Sequence, residues 1–347
     1  MRELPEGEVQ HLPEFDGHEH VYELRDESAG LHGFIAIHRK HSDLPSLGAT
    51  RLWPYETPTD ALRDALRLAR LMTSKSASAG MSYGGAKAAL ILPREIDRGK
   101  FFASYAKLVT ELRGAFVTGT DVGLDERDLS VMAANSPYMI GSGVDAGLYT
   151  AQGVLYGIEA ALEFLDGAGA VAGKRFAIQG LGKTGGHLLR LLVNGGVKDI
   201  VVSDIAPEPI AAARKIAPDF TVVPPEEIHK QRVDVFCPCA LSGVINPETV
   251  QEVSARAVVG SANNQLASAD MADALFHRGI VYVPDYMVNA GGFISVIDQY
   301  EHATHDHGRL MERLQALQQR IRQYLLERGR PAPVATPEEL AVRVHIS

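Results

Sequence analysis

A glycine-rich turn between two apolar segments is the feature of this sequence that most constrains its fold. The stretch reads FAIQGLGKTGGHLLRLLVNGGVKDIVVSDI, in which residues 180–185 have the spacing Gly-x-Gly-x-x-Gly. We predict a strand over 175–179 before the turn, a helix over 187–193 after it, and a second strand over 200–203 that ends at Asp204. Strand, glycine turn, helix and strand in this order predict the βαβ unit of a doubly wound sheet.

In this context the glycine turn indicates a dinucleotide site. Glycines let backbone amides approach a pyrophosphate at a helix N-terminus, whose partial positive charge favours the anion. Asp204, 24 residues after Gly180, would bind the adenosine ribose and repel a 2′-phosphate, so NAD is predicted rather than NADP. The alternative is an α/β turn with a strand-end acid, and Lys183 is also explained as a solvated side chain. The residues predicted to contact the cofactor here are Gly180, Leu181, Gly182, Lys183, Thr184, Gly185, Gly186 and Asp204.

The rest of the second half fits the same sheet. Apolar runs at 233–236, 257–259 and 280–283 can add parallel strands, and an amphipathic helix is predicted over 150–165. A final helix is predicted to end at Gly329, and its apolar stripe is predicted to lie in the protein core or in a contact between subunits. That stripe consists of Leu310, Leu314, Leu317, Ile321 and Leu325.

The first half begins with strands and turns, the clearest strand lying at 34–38. Thr57 and Pro58 are suited to the start of a helix that runs toward residues 72–73. A loop of small residues is predicted next, holding Lys75 and Lys87, before a strand over 88–92. The two lysines are therefore expected near loop and strand ends.

Lys87 is a candidate base because it lies among small apolar residues. Loss of hydration lowers the pKa of a lysine toward values at which it accepts a proton near neutral pH. A lysine that faces solvent is the alternative. Asp121, in TGTDVG, is the candidate acid, and a helix cap or a loop carboxylate explains it equally well.

Composition excludes several classes of protein. The 347 residues carry 34 Lys+Arg and 43 Asp+Glu, a net charge of −9, so nucleic acid is not an expected partner. No apolar run is long enough to span a membrane and the start does not resemble a signal peptide, so a cytoplasmic protein is expected. Cys237 and Cys239 are interpreted as small apolar residues, and the histidines of YEHATHDHGR as a polar loop; no metal is predicted.

Several motifs together resemble one family. In order, they are ATRLWPYETPTDALRDALRLARLMTSKSASAGMSYGGAKAAL, TGTDVG, TAQGV, GLGKTG, PCALSGVIN, GSANNQL and PDYMVNAGG. The sequence from about Leu31 to Tyr300 resembles the glutamate/leucine/phenylalanine/valine dehydrogenases. Chain length, GSANNQL and VPDYMVNAGG make it most similar to the leucine dehydrogenase branch.

The resemblance implies reversible oxidative deamination of an L-amino acid to its 2-oxo acid and ammonia. Lys75 would hold the substrate carboxylate, Lys87 would activate water, and Asp121 would transfer protons to and from the amine. It also implies two α/β domains with a cleft between them and a homo-oligomer. The catalytic and dimerisation domain would span 1–146, rejoined by C-terminal helices over 319–347, and the Rossmann domain would span 147–318.

The resemblance also implies which residues contact the substrate and the nicotinamide. The pocket for the substrate side chain is predicted to be formed by four residues, Leu47, Gly119, Phe293 and Val296, none of which is cationic. An apolar substrate is therefore expected, and its side chain can be either branched aliphatic or aromatic. Gly119 leaves space for a large substrate side chain, whereas Phe293 either reduces this space or supplies an aromatic surface against which the substrate packs. The substrate set is Lys75, Leu47, Gly48, Gly119, Asn289, Phe293 and Val296, with Gly291 and Gly292 beside it; the nicotinamide set is Thr150, Ala240 and Asn263.

Two positions depart from the family pattern. Ala49 replaces the second of two glycines, and Ala89 follows the lysine loop. An extra methyl at Ala49 could change specificity or weaken catalysis. Two alternatives are therefore kept: a catalytically silent NAD-binding regulator of the same fold, and a dehydrogenase or imine reductase for an unusual aromatic substrate.

Overall fold

The computed structural model describes residues 1–41, 43–304 and 306–328. In this part of the chain two compact units are separated between Val144 and Asp145. Each unit contains one sheet with helices packed against it.

The first unit is built on a mixed sheet with the strand order β1-β2-β3-β5-β4-β6. Strands β1, β2, β3 and β5 pair antiparallel, whereas β4 pairs parallel with both β5 and β6. The strand predicted at 34–38 is confirmed as part of β3. The strands are β1 (Arg2–Glu3), β2 (His20–Asp26), β3 (Leu31–Ile37), β4 (Ser46–Trp53), β5 (Gly84–Ile91) and β6 (Phe116–Thr120).

Helices cover both faces of this sheet. On one face Leu66 and Ala69 of the long second helix pack with Ala36 and Ala89 of the sheet. On the other face Phe101 and the residues around it pack with the alternate strand positions. The described helices are α1 (Glu6–Val9), α2 (Pro58–Ser78), α3 (Arg98–Glu111) and α4 (Glu126–Asn135), and a 3₁₀ turn spans Glu27–Ala29.

Helix α2 begins as predicted and ends later than predicted. Thr57 caps it in a capping box with Asp60, and Pro58 occupies the first turn. It continues to Ser78, because small side chains allow close packing on β5, and the hydroxyls of Ser74 and Ser78 donate to carbonyls one turn back. The predicted loop is therefore wrong here: Lys75 lies in the last turn of α2 and Lys87 in the middle of β5.

The second unit contains a parallel sheet with the order β12-β11-β10-β7-β8-β9. The predicted 175–179 strand is confirmed as β7, and the later apolar runs form strands close to their predicted places. The predicted α/β class, with two domains of which one is a doubly wound Rossmann sheet, is confirmed. The strands are β7 (Arg175–Gln179), β8 (Asp199–Ser203), β9 (Thr221–Val222), β10 (Val235–Pro238), β11 (Ala257–Val258) and β12 (Val281–Tyr282).

Helices of the second unit pack on the sheet and on one another. One sheet face, including Phe236, packs against Met271 and Leu275. The described helices are α5 (Ala146–Asp166), α6 (Lys183–Asn194), α7 (Pro207–Arg214), α8 (Thr249–Glu252), α9 (Asp270–His277), α10 (Asp285–Val288), α11 (Ala290–His302) and α12 (His307–Arg328), with a 3₁₀ turn at Ile228–Lys230.

Helix α12 buries the predicted stripe, including Leu314 and Ile321. Gln318 donates to Glu159 and Arg322 to Glu163, so α12 is bonded to α5. Residues 319–328, predicted to rejoin the first domain, therefore belong to the second unit, and residues 329–347 lie outside the described residues.

None of the helices described has the length and apolar content needed to cross a membrane.

Candidate functional site

Lys87 and Asp121 meet at the sheet of the first unit. Lys87 lies opposite Ala49 of β4, and Ala49 lies opposite Gly119 of β6. Asp121 follows the end of β6, held by a hydrogen bond from its backbone amide to the Thr50 carbonyl. The Lys87 ammonium Nζ donates to Asp121 Oδ2 at 2.6 Å. The sheet register therefore brings together the two residues predicted to carry the acid–base chemistry.

Burial decides the electrostatics of this pair. The Lys87 side chain is only 5% exposed, and loss of hydration lowers its pKa, although the Asp121 carboxylate opposes this. Burial would raise the pKa of Asp121, but the positive charges of Lys87 and Arg51 outweigh it and hold that pKa below its usual range. Asp121 is therefore ionised, and Lys87 gives up its proton more readily than an exposed lysine.

Three further residues of this cluster were missed by the sequence analysis. Arg51 Nε donates to Asp121 Oδ2 at 3.0 Å, and its Nη1 donates to Asp64 Oδ2 at 3.0 Å. The Tyr55 hydroxyl donates to the same Asp64 oxygen at 2.6 Å. Arg51 stands two residues after Ala49 on β4, so the spacing could have predicted that both side chains lie on the same face of the sheet. Asp64 reaches the cluster from α2, and local spacing does not predict this contact.

Lys75 belongs to the same unit but to a helix. It is half-buried in the last turn of α2, and α2 packs against β5, which carries Lys87. The helix and the strand meet at Gly85, where an added Cβ would lie 2.1 Å from the Thr73 amide nitrogen. This close packing places the lysine-bearing end of α2 against the lysine-bearing strand.

The predicted substrate residues of the first unit lie on β4 and β6. Leu47 is buried two residues before Ala49, and therefore on the same sheet face. Gly48 is required by packing, because an added Cβ would lie 1.9 Å from the Ala86 carbonyl oxygen. Gly119 is buried, with the Ile140 carbonyl 2.9 Å from the place of a Cβ.

The other predicted substrate residues belong to the second unit. Asn289 precedes α11 and donates from Nδ2 to Asn263 Oδ1 at 2.9 Å. Its own Oδ1 is buried and has no hydrogen-bond partner among the described residues. Phe293 and Val296, one turn apart on α11, are both half-buried. An amide with an unused acceptor and two apolar side chains thus occur together at the start of α11.

Glycines after Asn289 serve helix packing. A Cβ on Gly291 would lie 1.9 Å from the Tyr149 carbonyl oxygen, and one on Gly292 would lie 2.6 Å from Thr150 Oγ1. Thr150 donates to the Ala146 carbonyl and accepts from the Gly292 amide. The structure accounts for Gly291 and Gly292 by the contact of α11 with α5.

The glycine turn of the second unit fits a dinucleotide. Gly180 has φ +88° and Gly185 packs so closely that a Cβ would lie 1.9 Å from the Gly180 carbonyl oxygen. Gly182 caps α6 with no side-chain hydrogen bond and with open space where a Cβ would be. The amides of the first turn therefore face an uncrowded approach, which suits a pyrophosphate.

Asp204 is tied to this turn. Its Oδ2 accepts from the Leu181 amide at 2.7 Å and its Oδ1 from the Ala206 amide at 2.9 Å. The carboxylate keeps further acceptor capacity for ribose hydroxyls. The remaining predicted contacts lie around the turn or at neighbouring strand ends: exposed Lys183, half-buried Thr184 and Gly186 on α6, exposed Ala240 after β10, and exposed Asn263.

Cysteines and histidines show no other centre in the described residues. Cys237 is buried in β10, and burial raises the pKa of its thiol and that of Cys239. No three His, Cys, Asp or Glu side chains of residues 1–41, 43–304 and 306–328 are grouped as metal ligands. His305 lies outside the described residues.

Comparison with known proteins agrees with this geometry. Residues 18–138 match the Glu/Leu/Phe/Val dehydrogenase dimerisation domain, and residues 208–328 match the glutamate/leucine/phenylalanine/valine dehydrogenase model. Phenylalanine dehydrogenase of Lysinibacillus sphaericus is 38% identical over 81% of this chain and 76% of its own. Leucine dehydrogenase of Geobacillus stearothermophilus is 38% identical over 81% and 78%.

A solved structure agrees as well. The L-tryptophan dehydrogenase of Nostoc punctiforme is 34% identical, covers 94% of each chain and has a TM-score of 0.79. The predicted family and enzyme class, an oxidoreductase of the amino acid dehydrogenase type that uses a nicotinamide cofactor, are confirmed. The chain belongs to the glutamate/leucine/phenylalanine/valine dehydrogenase family.

Proposed function

We propose that this protein catalyses the NAD-dependent, reversible oxidative deamination of a hydrophobic L-amino acid to its 2-oxo acid and ammonia. The observation that carries this proposal is the buried Lys87–Asp121 pair, with 2.6 Å between Nζ and Oδ2. A base of lowered pKa beside an ionised carboxylate is the combination that moves several protons at one substrate carbon.

Lys87 and Asp121 have different tasks in this reaction. Hydride leaves the α-carbon only from the neutral amine, so the Asp121 carboxylate accepts a proton from the substrate ammonium. When bound, the nicotinamide supplies the hydride acceptor. Neutral Lys87 then removes a proton from the water whose oxygen adds to the imine carbon, and Asp121 returns a proton to the carbinolamine nitrogen. When the C–N bond breaks and ammonia leaves, the hydroxyl O–H bond breaks to form the carbonyl, and its proton passes to the Asp121 carboxylate. Lys75 pairs its ammonium with the substrate carboxylate.

The choice of NAD rests on Asp204. Two backbone amides already donate to this carboxylate, one from the glycine turn and one from Ala206. The ribose 2′-hydroxyl can donate to it as well, whereas a 2′-phosphate would meet a fixed negative charge. We therefore expect NAD to be preferred over NADP.

An apolar substrate is favoured by the side chains assigned to its pocket. Leu47, Gly119, Phe293 and Val296 offer no positive charge. A second substrate carboxylate buried without a partner would cost several kcal/mol. The relatives reported above are named phenylalanine dehydrogenase and leucine dehydrogenase, and the solved structure is of a tryptophan dehydrogenase. Branched aliphatic and aromatic amino acids are both within the proposal.

A homo-oligomer is also proposed. Its support is the match of residues 18–138 to a family model described as a dimerisation domain.

The test is NADH formation at alkaline pH with leucine, valine, isoleucine, phenylalanine, tryptophan and glutamate, repeated with NADP. We expect turnover with at least one apolar amino acid, little with glutamate, and a clear preference for NAD. Normal NADH binding without turnover of any apolar amino acid would overturn the proposed reaction. Turnover with NADP equal to that with NAD would overturn the role of Asp204.

A further inference from the structure

Asp121 Oδ2 accepts from two cations at once. Lys87 Nζ donates to it at 2.6 Å and Arg51 Nε at 3.0 Å. A lysine alone would suffice to pair with one carboxylate, and the guanidinium adds a second positive charge at the same oxygen. This second charge is the part of the cluster that the proposed mechanism does not use.

We infer that Arg51 is a positioning residue whose positive charge favours the unprotonated forms of Lys87 and Asp121. The pair therefore works at a lower pH than it would without this charge. This inference rests on the proposed function for its kinetic consequence. Arg51 touches Asp121 and acts through it.

The direction of the effect follows from charge. Removing a nearby positive charge makes the protonated form of every neighbouring group more favourable. Arg51 lowers the pKa of Asp121 and also that of Lys87. Without it Lys87 holds its proton up to a higher pH, so less of the amine is in the neutral form that acts as a base, whereas Asp121 stays ionised because Lys87 still donates to it.

Arg51 is held in place by residues of α2 and of the segment before it. Its Nη1 donates to Asp64 Oδ2 at 3.0 Å, and Arg67 donates to Asp64 Oδ1 at 2.7 Å. Tyr55 supplies a third donor to Asp64. The two carboxylates outweigh burial and raise the pKa of Arg51, so it stays charged. Its fork therefore spans two carboxylates, which a lysine at this position could not do.

Other charged groups do not replace Arg51. After burial, the charged groups with the largest effects on the pKa of Lys87 are Asp121, Arg51 and Asp64, in that order. Lys75 occupies the last turn of α2, and it is retained in every variant below. A cavity of about 640 Å³, lined in part by Arg51 and Asp64, makes this side of the cluster accessible to solvent.

The experiment compares Arg51→Gln with the wild-type enzyme in the pH dependence of kcat at saturating amino acid and NAD. Loss of a positive charge beside the pair raises the pKa of Lys87, so the acid limb, on which Lys87 becomes neutral, should move to higher pH by about one unit. On that limb kcat should fall about tenfold, and the difference should narrow to about threefold at alkaline pH. Arg51→Lys, which restores the charge, should move the limb back toward the wild-type position.

The matched control is Arg98→Gln. Arg98 forms an ion pair with buried Asp128 on the other side of the same sheet. Its loss should lower stability and leave the limb unmoved. If Arg51→Gln does not fold, Arg51→Met, which has a neutral chain of comparable length, replaces it.

A fall in kcat by the same factor at every pH would overturn the inference, because it would show a structural role only. The titration of Lys87 Nζ, followed by NMR in protein labelled with ¹⁵N-lysine, gives a second readout. A titration midpoint that is not raised in Arg51→Gln also refutes the inference, even if no amino acid is turned over. A wild-type enzyme without deaminase activity but with the expected NMR shift would refute only the proposed reaction.

Discussion

Replacing Lys87 by methionine tests the centre of the proposed chemistry. Methionine fills most of the volume of the lysine and removes the amine, so β5 keeps its packing. The amine is the group that donates to Asp121 at 2.6 Å, and it is almost fully buried.

The expected loss follows from the role of the amine. General acid–base catalysis contributes about 10²–10⁴-fold, which corresponds to about 3–5 kcal/mol of activation free energy. The cost in folding should be smaller than the 3–5 kcal/mol of a broken buried ion pair, since Arg51 still donates to Asp121 at 3.0 Å. Stability should therefore fall by about 1–3 kcal/mol.

The assay combines turnover with cofactor binding. We expect kcat for deamination to fall at least 100-fold, while NADH affinity, measured by fluorescence titration, changes less than about twofold, because the glycine turn belongs to the other unit. Lys107→Met, on the exposed side of α3, is the matched control and should retain activity. A Lys87→Met enzyme within threefold of the wild-type rate would refute the assignment of the base.

Other predictions concern glycines and a buried histidine. Gly182→Ala should fold normally and bind NADH at least tenfold more weakly, because its methyl would occupy the open approach to α6; Gly185→Ala should instead lower the melting temperature, because its Cβ would lie 1.9 Å from a carbonyl oxygen. Burial lowers the pKa of His38 from 6.5 to about 3, so below pH 6.5 the unfolded chain binds a proton that the folded chain does not. The free energy of unfolding should therefore decrease by up to about 1.4 kcal/mol for each pH unit that the pH is lowered between these values. In urea titrations, His38→Gln should show a smaller dependence of this free energy on pH. Gly48→Ala should prevent correct pairing of β4 with β5 and abolish folding or activity. Ala49→Gly should lower the free energy of unfolding by about 0.5–1 kcal/mol, measured by urea titration, and should keep the rate of NADH formation within about threefold of the wild-type rate.

Features whose causes are local could be predicted from the sequence. The glycine turn, the strand over 175–179 and the acid at Asp204 follow from spacing and from strand and helix preferences. The capping box at Thr57 has the same local origin. Lys87 and Asp121 could be named, but their contact depends on the register of β5, β4 and β6, which no single segment encodes.

Features whose causes are tertiary were missed. The end of α2 was placed too early because a run rich in serine and glycine suggests a loop when its packing partner β5 is unknown. Residues 319–328 were assigned to the first domain on the family resemblance, whereas α12 is bonded to α5 through Gln318 and Arg322. Arg51 and Asp64 lie 13 residues apart on different elements, so their ion pair appears only when α2 packs on the sheet.

Ala49 bears on whether this family member is active or silent. The two positions of the expected double glycine face opposite sides of β4, and they are not equivalent. Gly48 cannot carry a side chain, because a Cβ would lie 1.9 Å from the Ala86 carbonyl oxygen. Ala49 lies opposite Lys87, half-buried, and Lys87 still reaches Asp121 at 2.6 Å. The departure thus falls where the sheet accepts a methyl group and leaves the acid–base pair intact, which argues for a changed substrate-side surface in an active enzyme and against a silent regulator.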